Sequence, residues 1–344
     1  MDKRIAAAML CAPLLTVLCA CTGSSISADT PFSADFFAMD TFMTVKAYGE
    51  GAEKALSDTK ERIMLLEDEF SVTKEDSDIS RINSGAENVT VSDDTAGIIG
   101  DALGWCEKTG GALDITMYPV LRAWGFTTGE YRIPGSDELS GLLDKVGYGQ
   151  IKLEGNTVTI PEGVMIDLGS VAKGYASDCA ADIMRNNGVR SALINLGGNI
   201  QTVGSKPDGK QWKVAVRDPF APDTDMCMVE VSDKAVITSG SYERFFTGED
   251  GKDYWHILDP ADGCPADNGI VSATVIGESG LMCDALSTAM FVSGKERAVS
   301  FYRESGEDFD MILVTDEGEI LFTEGISGSF TNLSDMKAEV ISRD

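Results

Sequence analysis

Positive charge is scarce in this chain of 344 residues: 28 Lys and Arg stand against 56 Asp and Glu, a formal net charge of -28. That balance opposes binding to nucleic acid and to anionic lipid headgroups, both of which present phosphates. A polyanionic ligand would need a cation placed beside it. Histidine is scarcer still, with His256 alone, so a His-rich metal centre is excluded. Of the eight cysteines, Cys11, Cys19 and Cys21 sit near the N-terminus, leaving Cys106, Cys179, Cys227, Cys264 and Cys283. An odd, widely spaced set is no disulfide framework. Without a C-x-x-C pair, a zinc ribbon or thioredoxin-like site has no support either, and these residues read as small core side chains. There is no internal repeat, no low-complexity block, no serine-hydrolase elbow, no G-x-x-x-x-G-K-[ST] loop and no G-x-G-x-x-G fingerprint. Beyond the N-terminus, no apolar run is long enough to span a bilayer.

What is present begins with Lys3 and Arg4, followed by an apolar run from Ile5 to Leu18 that is too short for a comfortable membrane span. Residues 1–20 read as a signal peptide. Leu18-Cys19-Ala20-Cys21 resembles a bacterial lipobox, in which the last cysteine receives diacylglycerol, and this makes Cys21 the candidate lipidation site. The simpler alternative is an ordinary cleavage site followed by a chance cysteine. Residues 21–35 are small and polar, the composition of a flexible tether, and residues 36–344 are expected to form the folded domain. The expected location is therefore the extracytoplasmic face of a membrane, with the domain held by its N-terminal lipid. Roughly 310 residues remain, enough for a substantial core.

Periodicity then predicts the elements. Thr41 to Tyr48 alternates like a strand, and Ala52 to Phe70 places Leu56, Ile63, Leu66 and Phe70 on one helical face. Ser71 to Asn83 is polar and turn-rich. Thr95 to Lys108 reads as a helix stopped by Gly110-Gly111, and a second helix is expected from Ser170 to about Asn186, ending at Asn187-Gly188. Strands are expected at 191–196, 212–217, 228–231, 235–238, 255–258 and 270–276, helices at 281–291 and 295–303, and a closing hairpin at 309–314 and 320–323. Runs of strands with few helices between them indicate an α+β fold with largely antiparallel sheets flanked by helices.

Three segments carry side chains able to do chemistry. Met165 to Gly174 reads as a buried strand that turns through Gly169 into a helix; a helix N-terminus attracts anions, Lys173 adds a charge, and Asp167 can accept hydrogen bonds from a sugar or base. Taken alone, it is more simply a strand-to-helix turn capped by Ser170. Asp284 and Thr288, four apart, project oxygens from one helical face and suit Mg²⁺, which takes hard ligands and keeps waters. In isolation such a pair is more often solvated or capping. His256 enters the rigid turn Asp259-Pro260-Ala261-Asp262-Gly263. A solitary histidine is usually structural, but this one could serve as a general base near neutral pH.

Nine segments occur in one order: Met39-Asp40-Thr41, Asp78 to Asn83, Gly111 to Thr116, Trp124-Gly125-Phe126, Ile166 to Gly174, Asn195 to Asn199, Thr238-Ser239-Gly240, His256 to Pro260 and Asp284 to Thr288. On these, the chain resembles the ApbE family of periplasmic lipoproteins, the FAD:protein FMN transferases, from about Phe36 to Thr323. Position by position, the resemblance implies a Mg²⁺ held by Asp284, Thr288 and the backbone oxygen of Ser170. It implies FAD contacts from Met39, from Ala112, Leu113 and Asp114, and from Asp167 and Lys173, with His256 acting in transfer to a Thr/Ser segment of an acceptor flavoprotein. Two departures stand out. Many members carry a tyrosine near Thr73, where this chain has Phe70-Ser71-Val72-Thr73, and many have glycine or alanine at Ser170, a change that a backbone ligand tolerates. Three alternatives stand beside this: a Mg²⁺-dependent FAD pyrophosphatase giving FMN and AMP from the same site, a non-catalytic FAD-binding lipoprotein, against which His256, Asp284 and Thr288 argue, and a generic solute-binding lipoprotein, which predicts no metal dependence.

Overall fold

In the computed structural model, which describes residues 30–344, the chain opens with β1 (Phe32–Ala38) and β2 (Thr41–Ala47), paired antiparallel from Phe32↔Ala47 to Ala38↔Thr41. The expected signal peptide, Cys21 and the tether as far as residue 29 lie outside the described residues. At its other end the tether is shorter than expected, because Phe32 to Asp35 already belong to β1. Phe32, Ala34, Phe36 and Ala38 turn alternately to the core, a period-two pattern masked in the sequence by small residues. The turn residues Met39 and Asp40 both have positive φ, 49° and 57°, as a two-residue hairpin turn requires. Each non-glycine residue held there costs roughly 1–2 kcal/mol.

Helix α1 (Ala52–Phe70) forms where periodicity predicts it and buries Leu56, Ile63, Leu66 and Phe70. The polar stretch after it contains a short helix, α2 (Asp78–Asn83), because the Ser77 hydroxyl accepts the Ser80 N–H at 2.9 Å. After β3 (Val89–Thr90) comes α3 (Asp93–Lys108), capped in the same way by Ser92. The short elements α4 (Tyr118–Trp124), α5 (Ser136–Leu143), β4 (Lys152–Glu154) and β5 (Thr157–Thr159) are too brief for periodicity to reveal. Strands β3, β5 and β4 form a small sheet.

The second half begins with α6 (Ala172–Asn186), two residues later than expected, and continues through β6 (Ala192–Leu196), β7 (Asn199–Val203), β8 (Trp212–Arg217), β9 (Asp225–Val231) and β10 (Ala235–Gly240). Next come β11 (Phe245–Thr247), β12 (Asp253–Trp255), β13 (Ile270–Gly277), α7 (Gly280–Glu304), β14 (Asp310–Thr315) and β15 (Glu319–Thr323). The strand expected at 255–258 is displaced: β12 ends at Trp255, and Leu258 meets Pro265 only in an isolated bridge. The two helices expected at 281–291 and 295–303 are one element broken at Gly294, whose φ of 73° is non-helical and whose Cβ position lies 2.9 Å from the Asn268 backbone oxygen. The closing hairpin forms, but the chain continues through β16 (Phe330–Asn332) to β17 (Lys337–Ile341), which lies parallel to β15.

Nine strands make one sheet in the order β1-β2-β6-β7-β10-β13-β14-β15-β17. Every neighbouring pair except the last is antiparallel, as the α+β expectation requires. Alternation splits each central strand between two cores. In β14, Met311 and Leu313 face the helices, whereas Ile312 and Val314 face the three-stranded sheet β16-β9-β8. Among the described residues, no helix is long and apolar enough to cross a membrane.

On the helical side, α6 and α7 cross with almost no clearance. A Cβ on Gly174 would stand 2.3 Å from the Gly280 carbonyl oxygen, and a Cβ on Gly280 would stand 2.2 Å from Ser177 Oγ and 2.6 Å from the Gly174 carbonyl oxygen. Backbone meets backbone there, so an added methyl cannot be accommodated by rotating a side chain. Gly280→Ala is expected to lower unfolding free energy by about 1–3 kcal/mol, the usual cost of overpacking. Urea denaturation measures this, and an unchanged midpoint would contradict the tight crossing.

Candidate functional site

The segment before α6 forms no strand and belongs to no sheet, contrary to the buried strand expected there. Instead, the Asn83 side chain brackets Ile166, donating from Nδ2 to its carbonyl at 2.8 Å and accepting its N–H at 2.7 Å. The Asp167 N–H donates to the Ile115 carbonyl at 2.8 Å, which brings the 112–115 loop beside Asp167. Ala112 and Leu113 bury their side chains in the core and can meet a ligand only through their backbone. Asp114 is occupied by its own surroundings: Oδ1 accepts from the Thr116 N–H at 2.8 Å and its hydroxyl at 2.5 Å, and Oδ2 from the Tyr148 N–H at 2.9 Å. Its carboxylate shapes the loop.

Helix α6 receives no side-chain cap from its own N-cap residue. Val171 holds the cap position, and Ser170 does not take the capping role that the sequence suggested. No acidic residue lies in the first turn, and Lys173 sits in it, against the positive end of the helix dipole. The Gly174 N–H, whose ordinary helical partner would be the Ser170 carbonyl, donates instead to Asp284 Oδ2 at 2.8 Å. Among the described residues the Ser170 carbonyl takes no backbone hydrogen bond.

Asp284 itself is 4% exposed. Burial pushes its carboxyl above the usual range, opposed by the Lys173 charge and the Gly174 N–H. Half-buried Asp167 is likewise raised by burial, with the Gly169 N–H, Arg244 and Lys173 pulling it back. Lys173 also acts on Glu243 and on His256. Four titratable groups from separate parts of the chain thus share one lysine, which forms no ion pair among the described residues. The Met39 turn adjoins the β6–β7 turn: the Cβ position of Gly197 falls 2.1 Å from Thr41 Oγ1.

His256 follows β12. Its N–H and its Nδ1 both meet the Arg244 carbonyl oxygen at 3.1 Å. A carbonyl can only accept, so Nδ1 carries the proton and Nε2 presents a lone pair. Burial depresses the ring's pKa to about 4, aided by the Arg244 and Lys173 charges and opposed by the hydrogen bond to the Arg244 carbonyl. The Arg244 guanidinium donates to the Phe126 carbonyl, the Phe126 ring stands edge-on to His256, and Trp124 Nε1 donates to the Gly263 carbonyl at 2.8 Å. The Trp124-Gly125-Phe126 segment thereby braces both ends of the histidine turn. Sequence reading missed Arg244, since nothing local marks a residue that acts through its carbonyl twelve positions away.

A hard cation fits this donor set. Among the described residues, no three His, Cys, Asp or Glu side chains form a metal cluster. What this region offers is a buried carboxylate at Asp284, bonded to the first turn of α6, an unpaired carbonyl at Ser170 just before that helix, and the half-buried hydroxyl of Thr288 one turn along α7 from Asp284. These oxygens suit Mg²⁺ with retained waters and exclude a softer, thiolate-type ion.

A sequence profile described as the ApbE family matches residues 39–313. Among curated relatives, a Vibrio cholerae protein named FAD:protein FMN transferase is 34% identical over 273 residues, 77% of this chain and 80% of its own length. One of the same name from Haemophilus influenzae is 29% identical over 317 residues, covering 87% and 90%. Among solved structures, the ApbE protein of Thermotoga maritima superposes with a TM-score of 0.81 at 32% identity, over 86% of this chain and 98% of that one. Flavin transferase ApbE from Vibrio cholerae superposes with a TM-score of 0.77 at 28% identity, over 87% and 99%.

A chain with one histidine allows a direct test of the electrostatics. Proton NMR of the ligand-free protein should place the His256 midpoint near pH 4, and Lys173→Met should raise it by removing a nearby cation. A midpoint at the ordinary value of 6.5 would contradict the arrangement. Because the folded pKa lies below the unfolded one, the unfolded chain binds the extra proton between them. The ring's contribution to stability is therefore complete above the unfolded pKa and is lost as pH falls toward 4.

Proposed function

The chain belongs to the ApbE family, and from that premise we propose that it splits FAD and transfers the FMN half to a serine or threonine hydroxyl of another protein, releasing AMP. The observation that carries this reading is Lys173 itself, in the first turn of α6 beside the Asp284 carboxylate that takes the Gly174 N–H, free of any ion pair among the described residues and close enough for its charge to act on Asp167, Asp284, Glu243 and His256. In so acidic a protein, an unpaired lysine at the positive end of a helix suits an anion such as a pyrophosphate.

Asp284, Thr288 and the Ser170 carbonyl would hold the Mg²⁺, which when bound neutralises phosphate charge and stabilises the departing AMP. The chain's own groups do the remainder. Lys173 holds phosphate oxygens through its ammonium group and its own first-turn N–H, the Ala172 and Gly174 N–H groups being taken by the Leu168 carbonyl and Asp284. Met39, the backbone at Ala112 and Leu113, the loop shaped by Asp114, and the Asp167 carboxyl bind the rest of FAD. His256 Nε2 takes the proton of the incoming hydroxyl as its oxygen bonds to the FMN phosphorus. The bond from that phosphorus to the bridging oxygen breaks, and AMP leaves with the electron pair. The braced histidine turn keeps Nε2 oriented while Nδ1 is tied to the Arg244 carbonyl.

The reading also includes export and membrane attachment. Lys3, Arg4, the short apolar run and the lipobox-like Leu18 to Cys21 support a diacylglyceryl anchor at Cys21 on the extracytoplasmic face.

Incubating the protein with FAD, Mg²⁺ and an acceptor carrying an exposed Thr/Ser flavinylation segment should add the mass of FMN to the acceptor, with one AMP per transfer and no reaction in chelator. AMP and free FMN without acceptor modification would establish a pyrophosphatase, and intact FAD a binding protein. His256→Ala should slow transfer by about 10²–10⁴-fold, the range of a general base. For the metal, ionised Asp284 is a buried charge that the fold holds at a cost, so a bound cation should stabilise the fold. Thermal denaturation should rise with Mg²⁺, by about 2.7 kcal/mol at one hundred times Kd. Asp284→Asn keeps an oxygen for the Gly174 N–H and should abolish both this rise and transfer. An equal Mg²⁺ response in the variant would sink the assignment. Radiolabelled palmitate should mark the wild-type chain in cells and not Cys21→Ser.

A further inference from the structure

Two segments singled out in the sequence, Asn195 to Asn199 and Thr238 to Gly240, have no task in the reaction above. They lead into β7 and close β10, which are neighbours at the middle of the large sheet. Each places one polar side chain against α7.

The hydroxyls at β10 and α7 have one consistent set of directions. Ser287 Oγ donates to the Asp284 carbonyl at 2.9 Å, and a carbonyl cannot donate in return. The Ser287 proton is thereby committed, so Ser239 must be the donor in its 2.8 Å contact with Ser287 Oγ. With its own proton committed in turn, Ser239 can only accept from Thr288 Oγ1, at 3.3 Å. The Thr288 hydrogen is then drawn toward β10, and its lone pairs stay available for a cation, as a hydroxyl ligand requires. Asn199 stands at the other ligand. It lies on β7, which packs against α7, is 4% exposed, and sits close enough to Asp284 to act on its carboxyl, yet its Nδ2 closes no hydrogen bond among the described residues. A buried amide N–H left unpaired is costly, and a carboxylate drawn into place by a cation would give it an acceptor.

We propose that Ser239 and Asn199 are positioning residues of the metal site, Ser239 turning the Thr288 hydroxyl into a lone-pair donor and Asn199 holding the Asp284 carboxylate. This rests on the reading of Asp284 and Thr288 as Mg²⁺ ligands. Groups that orient metal ligands typically change metal affinity by 10–100-fold when removed.

The test titrates Mg²⁺ into the FAD-free protein, following the thermal midpoint, and separately measures transfer against Mg²⁺ at saturating FAD. Wild type, Ser239→Ala, Ser239→Thr, Asn199→Ala and Asp284→Asn are compared. Ser239→Ala and Asn199→Ala should each need about 10–100-fold more Mg²⁺ in both measurements, with lost turnover recovered as Mg²⁺ is raised and the KM for FAD little changed. Ser239→Thr, which keeps a hydroxyl, should return the Mg²⁺ requirement toward wild type. Wild-type Mg²⁺ requirements in both alanine variants, or a Ser239→Ala defect that threonine does not relieve, would overturn the proposal while leaving the metal at Asp284 intact. Equal Mg²⁺ responses in wild type and Asp284→Asn would remove the metal reading itself and the proposal with it. If Asn199→Ala does not fold, the serine pair decides the matter.

Discussion

Helices α6 and α7 cap each other, and the site depends on that exchange. Asp178 of α6 accepts the Gly280 N–H at 2.6 Å and the Leu281 N–H at 3.0 Å, while Asp284 of α7 accepts the Gly174 N–H at 2.8 Å. Each carboxylate sits where unpaired N–H groups and the helix dipole favour negative charge. The exchange needs the two backbones in near contact, which Gly174 and Gly280 permit. It has two by-products: the Ser170 carbonyl loses its helical partner, and Lys173 is displayed on a turn with no acid of its own.

Burial raises both Asp178 and Asp284, so the crossing is held together by groups that resist being ionised where they are. Hydrogen bonds to backbone N–H groups offset part of that cost. Only Asp284 is also within reach of a cationic side chain that no other carboxylate claims by an ion pair among the described residues. Elsewhere the lysines and arginines are spread over surface pairs such as Lys74 with Asp68 and Lys213 with Glu230, which contribute little to stability. In a chain of net charge -28, the placement of Lys173 weighs more than the sum of charges.

The histidine is prepared by a different device. One backbone carbonyl, that of Arg244, receives both the His256 main-chain N–H and Nδ1, so strand geometry sets the tautomer. Aromatic rings from Phe126, Phe246 and Tyr254 cluster behind the turn. The arrangement keeps the ring neutral and its free nitrogen fixed, at the price of a weak base, and the approach of phosphate charge works in the direction of restoring its basicity.

Several features were legible in the residues themselves. Apolar spacing marked α1 and α3, alternation marked β2, and separate helices were expected on the two sides of the break in α7. The order of short motifs marked the family, and the kinds of oxygen and nitrogen available bounded the chemistry. Other features were decided by tertiary structure. Ser170 looked like a cap and is not one; β1 was hidden in an expected tether; and the Asp114 carboxylate is bound up in its own loop. The cap of α6 comes from a residue 110 positions away, and the histidine tautomer from a carbonyl twelve positions upstream. Periodicity records what a residue shares with neighbours two, three or four places along, because those neighbours lie on one face. A hydrogen bond between distant residues leaves no such local trace, so only the packing of helices on the sheet could settle which oxygens were taken and which were left free.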